Sequence, residues 1–181
     1  MVDGAMALLA RRGLHATSFS EVLALTGAPR GSLYHHFPDG KDQMVAAAVD
    51  QAGAFLLGAL DRKAGSSALV VTEHFLNIWR SVLAHSNCEA GCAVLAVTVA
   101  SDSTALIDHA VAVFRSWRSR LAALLVEGGM TPANAKGFAT TLIAAAEGAV
   151  VLSRAERSPE PFEAVAQQLL ESVRRMDGGT A

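Results

Sequence analysis

Apolar residues recur at three- and four-residue intervals along almost all of the 181-residue chain, and no run of alternating β-branched residues bounded by turns interrupts them. That pattern restricts the fold to the all-α class. About nine helices are expected. The first four cover Val2–Arg12, Ser18 to Thr26, Pro29 to just before Pro38, and the stretch after the Pro38-Asp39-Gly40 turn to about Arg62. Five longer and more apolar ones follow: Leu69–His85, Cys92–Ala100, Thr104–Glu127, Pro132–Glu156 and Pro161–Met176. Gly13 and Gly27 are natural helix stops, and Pro29 suits a first helical turn. Asn87 to Gly91, Ser101 to Ser103, Gly128-Gly129 and Ser158-Pro159 mark the later breaks. The organisation is three short helices, a connector helix and a helical body, with a frayed tail at 178–181.

Composition excludes several classes. Hydrophobic residues make up 51% and charged residues 18%, which supports a packed core rather than disorder. The most apolar stretch, Gly137 to Ser153, carries Glu147 and falls short of the roughly 18 to 20 apolar residues that span a bilayer. It is expected to be a buried helix. No charged-then-apolar leader opens the sequence, so the expectation is a cytoplasmic protein without a membrane partner. Two cysteines, Cys88 and Cys92, exclude a disulfide-rich secreted scaffold. No nucleophile elbow, H-E-x-x-H, phosphate-cradling glycine loop or paired carboxylates are present, so neither an enzyme nor a cofactor is expected.

The segment from Thr17 to Lys41 carries most of the functional information. Phe19, Val22 and Leu23 share one face of the second helix, and Leu33 and Phe37 share one face of the third, so each helix has an inward side. Gly27 between them permits the positive φ of a sharp turn. Two helices locked by a small shared core and a short glycine turn make a helix-turn-helix. The outward face of the third helix then bears Arg30, Ser32, Tyr34, His35 and partly His36. Arg30 and Ser32 have the donors to reach guanine edges or phosphates, and Gly31 allows close approach to a groove or to a neighbouring helix. Thr17 and Ser18 stand where a phosphate meets the free N–H groups of the second helix, and Lys41 adds charge at the start of the fourth. Tyr34 fits a core aromatic as well, and Ser18 also fits a plain N-cap. His35 and His36 point about 100° apart without further ligands, a poor metal site.

The run Gly31-Ser-Leu-Tyr-His-His-Phe37, followed by Pro38-Asp-Gly-Lys41 and preceded by Leu25-Thr-Gly-Ala-Pro-Arg30, resembles the DNA-binding domain of TetR-type repressors. The body is similar to the LmrA/YxaF branch of that family, through Cys88-Glu-Ala-Gly-Cys92, Phe114 with Trp117, and Ala145-Ala-Glu-Gly-Ala-Val-Val-Leu-Ser-Arg154. The resemblance implies a homodimeric repressor on a palindromic double-stranded operator, released by a small, largely apolar effector. It implies Tyr34 and Lys41 as phosphate contacts, with Arg30, Ser32 and His35 reading bases. It also implies a DNA-binding domain over 1–46 and a ligand-binding and dimerisation domain over 47–177. Such proteins begin with a basic arm, whereas this sequence opens at Met1-Val2-Asp3, so either a truncated arm or a misassigned start is expected, with weaker DNA binding where the arm is absent. Residues 1–50 hold four basic side chains (Arg11, Arg12, Arg30, Lys41) against five acidic ones (Asp3, Glu21, Asp39, Asp42, Asp50), so any positive face must come from placement.

In the body, Phe75 and Trp79 are i, i+4 neighbours and Phe114 and Trp117 are i, i+3 neighbours. Together they are candidates to wall an apolar pocket, with His74, His109 or Glu147 as its polar feature, although the same spacing serves a filled core. Pro132–Glu156 is apolar almost all round and rich in small residues, so a second subunit is the simplest way to bury it. Phe138, Leu142, Ala145, Ala149 and Leu152, with Val165 and Leu169 of the last helix, are the expected interface. Cys88 and Cys92 fit small-apolar packing or, as an alternative function, thiol-redox sensing. A helical binding or scaffold protein without DNA binding is the other alternative.

Overall fold

The structure, a computed structural model, describes residues 1–177, with the side chains of Leu33, Tyr34 and Asp177 outside the description. The tail expected at 178–181 also lies outside the described residues. Within that span every regular element is a helix, and no strand occurs among the described residues. The order is α1 Val2–Arg12, α2 Phe19–Thr26, α3 Arg30–His36, α4 Lys41–Asp61, α5 Ala68–Ser86, α6 Ala93–Ala100, α7 Thr104–Glu127, α8 Pro132–Glu156 and α9 Glu160–Asp177.

Local chemistry explains the boundaries. Ser18, Ser67 and Thr131 each accept a backbone N–H three residues on, from Glu21, Val70 and Asn134, and so cap α2, α5 and α8. Glu21 at the third position of α2 also suits the positive end of the helix dipole. Gly27 ends α2 in the left-handed conformation, and its N–H donates to Leu23 O. Helix α6 starts one residue later than the sequence suggests because Cys92 is its cap, the sulfur accepting the Leu95 N–H at 3.3 Å. Helix α3 starts at Arg30 because the Pro29 carbonyl accepts the Ser32 N–H and holds Pro29 just outside.

The chain's contacts gather into two units. The first comprises Met1–Phe55 and Cys92–Phe114. There α1 packs against α2 and α6 over a core of Leu8, Leu9, Val22, Met44, Val45, Val94 and Val97, all at most 5% exposed. Gly4 makes the approach of α1 to α2 possible: a Cβ there would stand 2.5 Å from Thr26 Cγ2. Gly53 does the same for α4 against Val113 of α7. The Gln51 amide donates to Asp3, and His109 Nδ1 lies 3.0 Å from Asp50 Oδ1.

The second unit comprises Leu56–Gly91 and the chain from Arg115 onward. Here α5, α8 and α9 pack on one another and bury Phe75, Leu76, Leu83, Leu142 and Phe162. The buried Ser153 hydroxyl accepts the Phe162 N–H at 3.1 Å, tying the end of α8 to the start of α9. Arg80 grips Glu163 through Nε and Nη2, and that hydrogen bonding holds the Glu163 carboxyl below the usual carboxylate range. Arg120 reaches both Asp61 and Glu127.

Helices α4 and α8 are each long and apolar enough, by length and composition, to cross a membrane. The uncharged stretch within α8, Gly137 to Ser153, is shorter than such a span and carries the buried Glu147. Their apolar windows are 44% and 50% buried inside the protein, as core helices are.

Candidate nucleic-acid interface

Helix α3 is only seven residues long, and helices that short depend on what they pack against. On one side its turn to α2 is set by the left-handed Gly27. On the other, the Pro38-Asp39-Gly40 turn is closed by Gly40 N–H to Phe37 O at 3.1 Å and Asp39 N–H to Gln43 Oε1 at 3.1 Å. Phe37 is buried and anchors the end of α3, and Val22 of α2 is fully buried. Phe19 and Leu23, expected inward, are half-buried.

The outward face of α3 presents Arg30, Gly31, His35 and His36, all exposed, with Ser32 half-buried beside them. The His35 and His36 rings meet edge-to-face, with centroids 5.5 Å apart. A Cβ added at Gly31 would meet nothing within 4 Å. The sequence left open whether this glycine served a neighbouring helix or an outside groove, and no part of the described chain approaches it. Tyr34 is expected on the same face, but its side chain lies outside the described residues.

Two expected phosphate contacts have different surroundings. Thr17 is fully buried and its Oγ1 donates to Gly13 O at 2.9 Å. That corrects the expectation for Thr17: its hydroxyl holds the α1–α2 connection together. Ser18 remains partly exposed, accepts the Glu21 N–H and shares a 2.9 Å hydrogen bond with the exposed Ser20 hydroxyl. Ser20 was not singled out from sequence, although its place in the first turn of α2 was the available signal. Lys41 is half-buried, and its Nζ donates to Leu14 O at 3.0 Å. Arg12 pairs with Glu21 at 2.9 Å, so part of the small stock of cations is neutralised in place.

In the second unit, Phe75, Trp79, Trp117 and Glu147 are all buried. The Trp79 indole N–H has no acceptor among the described residues. His109 and Phe114 belong to the first unit. His109 is 43% exposed in its side chain and paired with Asp50, which corrects its expected role as the polar feature of an apolar pocket. His74 Nε2 lies 2.9 Å from Ala59 O.

The expected dimer residues divide by burial. Phe138, Leu142, Ala149 and Leu169 are each at most 5% exposed and already packed within the chain, and Ala145 and Val165 are half-buried. The apolar stripe of α9 therefore serves α5 and α8 of the same chain. Leu152 is 51% exposed, and it continues an open stripe of α8 through Thr141, Ala144, Gly148, Val151 and Ala155. The sequence pattern missed this stripe because its small residues look apolar in every direction. Cys88 and Cys92 are buried and form no disulfide with each other.

Comparison with known proteins adds a second line of support. Residues 1–48 match the family model described as bacterial regulatory proteins, tetR family. Residues 68–168 match the model described as transcriptional regulator LmrA/YxaF-like, C-terminal domain. The chain is 35% identical over 176 residues to the uncharacterized HTH-type transcriptional regulator Rv0196 of Mycobacterium tuberculosis, covering 93% of this chain and 90% of that one. It is 30% identical to the uncharacterized HTH-type transcriptional regulator YxaF of Bacillus subtilis, covering 91% and 88%. A crystal structure of regulatory protein TetR from Rhodobacter sphaeroides superposes with a TM-score of 0.84 at 19% identity, over 94% and 95% of the two chains.

Proposed function

This chain belongs to the TetR family of transcriptional regulators, in its LmrA/YxaF-like branch, and on that footing we propose that it is a homodimeric cytoplasmic repressor released from its operator by a small effector. The family is one of DNA-binding regulators and not of enzymes. One observation carries the reading: a short helix clamped at both ends exposes Arg30, the open backbone at Gly31, His35 and His36 on one face.

Helix α3 enters the major groove. Arg30, Ser32 and His35 reach base edges, and Gly31 lets the backbone come close. Tyr34, His36 and Lys41, whose ammonium has donors beyond the one given to Leu14, hold phosphates together with Ser18 and the N-terminus of α2. Residues 1–46 act as the reader and 47–177 as the sensing and dimerising body.

Two copies associate through the open stripe of α8, where Ala144 and Gly148 allow close approach and Val151 and Leu152 supply apolar area. Two-fold symmetry then sets the recognition helices about 34 to 36 Å apart, one DNA turn. The effector binds among Phe75, Trp79 and Trp117 and supplies an acceptor to the Trp79 N–H, since leaving a buried donor unpaired costs free energy. Helices α4 and α7 each run from one unit into the other, so an effector acting on their distal halves shifts the reader, and DNA affinity falls.

Footprinting of the region upstream of the chain's own gene tests this reading. A protected, two-fold symmetric site with half-sites one turn apart supports it. Absence of any protected symmetric site at micromolar protein contradicts it.

A further inference from the structure

The second unit carries a groove that none of these roles uses. It lies between the C-terminal half of α7 and the N-terminal part of α8 and has a volume of about 870 Å³. The connection between the two helices, Gly128 to Thr131, is short, of the kind that joins antiparallel neighbours. Sequence order then gives the groove two unlike ends. Near the connection its wall is formed by Ala123, Val126 and Pro132, with the Glu127 carboxylate at the very end. Away from it the wall carries Arg115 and Arg118, with the hydroxyls of Ser119 and Thr140, and Lys136 stands between the two ends.

The charge along this wall is uncompensated. Arg115, Arg118 and Lys136 are all exposed, and none makes an ion pair among the described residues. The acid at the groove, Glu127, is taken up by Arg120 at 3.2 Å and by the Gly65 N–H. The chain as a whole has a net charge of −2, so three free cations on one groove are a local concentration and not a sample of a basic surface.

We propose that this groove is a second small-molecule site, for a monomeric amphiphile with an anionic head. The carboxylate or phosphate head sits among Arg118, Arg115 and Lys136, where the planar guanidinium forks match its oxygens. The apolar body lies over Ala123, Val126 and Pro132 and removes their surface from water. An acidic helix of another protein fits less well, because its charges would run along its length whereas the cations here gather toward one end. The proposal stands whether or not the DNA-binding reading holds.

Isothermal titration of the full chain with dodecanoate, kept below its micelle concentration, tests it. Dodecyl phosphate and dodecyltrimethylammonium are run in parallel. Saturable binding of one dodecanoate or dodecyl phosphate per chain at this groove is expected, with none of the cationic amphiphile. Arg118→Glu and Val126→Asp should each weaken binding about tenfold, the scale of a lost charge-assisted contact, while Arg174→Glu on exposed α9 leaves it unchanged. Both α7 positions are exposed, and a melting curve of each variant verifies its fold. Three outcomes overturn the proposal: no saturable binding, equal uptake of the cationic amphiphile, or binding indifferent to both α7 substitutions. If Arg118→Glu instead splits a dimer while no amphiphile binds, the groove belongs to a second copy and the proposal also falls.

Discussion

Lys41 Nζ donates to the carbonyl of Leu14, 3.0 Å away and 27 residues earlier in the chain. This bond ties the start of α4 to the loop that follows α1, with α2 and α3 enclosed between its two ends. Lys41 therefore has a structural task inside the reader as well as the phosphate contact proposed for it. Lys41→Met should lower stability by about 1 kcal/mol, the usual net worth of a partly buried hydrogen bond. It should also reduce the slope of operator affinity against salt by about one counterion. Chemical denaturation and salt-dependent binding measure the two effects, and an unchanged slope would remove Lys41 from the phosphate contacts.

Gly31 separates the reading face from the scaffold. A methyl at this position meets nothing within 4 Å, and alanine is favoured over glycine in a helix by about 1 kcal/mol. Gly31→Ala should leave the melting temperature unchanged or raised while weakening operator binding. Retained affinity would mean that the backbone at 31 does not approach DNA.

Gly4 has the opposite character. Thr26 Oγ1 donates to Val22 O at 2.7 Å, which fixes the rotamer that aims Cγ2 at Gly4. Gly4→Ala should destabilise the chain by about 1 to 3 kcal/mol, the range for overpacking. Thr26→Ser, which deletes the opposing methyl and keeps the hydroxyl, should restore most of that loss. A double-mutant cycle of denaturation midpoints measures the coupling.

Val151 and Leu152 are 49% and 51% exposed on a single chain. Introducing a carboxylate into a paired apolar stripe desolvates an unpaired charge. Val151→Asp with Leu152→Asp should therefore give a folded monomer by light scattering, with operator affinity lost. A dimer that survives the pair of substitutions would place the interface elsewhere.

Acid should loosen the Arg80–Glu163 contact between α5 and α9. The folded-state value of Glu163 is depressed by its hydrogen bonds to Arg80. Its contribution is thus present above the unfolded glutamate value of about 4.3 and is lost as pH falls through the lower folded value. The pair is partly exposed, at 29% and 49%, so the effect should be about 1 kcal/mol or less. Glu163→Gln should flatten the decline of stability with pH below about 4.

Most of the fold was legible in the sequence because helix boundaries are local: Gly13, Ser18, Gly27 and Asn87 all act within a few residues. The span of α3 was legible for the same reason, since the turn before it and the proline after it need little context. What escaped was contact at long sequence separation. Nothing local says that Thr17 faces inward, that Lys41 reaches Leu14, or that His109 meets Asp50 on the surface. The residues expected at a dimer face divide by burial for a related reason. In α8 the buried face of Phe138, Leu142 and Ala149 and the open face of Ala144, Gly148 and Val151 are both apolar, so periodicity alone cannot distinguish core from interface.

The central claim is that the exposed face of α3 reads DNA, and fluorescence anisotropy with a labelled duplex from the chain's own upstream region tests it most directly. Binding should weaken steeply as salt rises, because phosphates are neutralised. Arg30→Ala should cost a further 1 to 3 kcal/mol or so and relax discrimination at one base position in each half-site. Salt-insensitive binding, or full affinity and specificity retained in Arg30→Ala, would contradict the account.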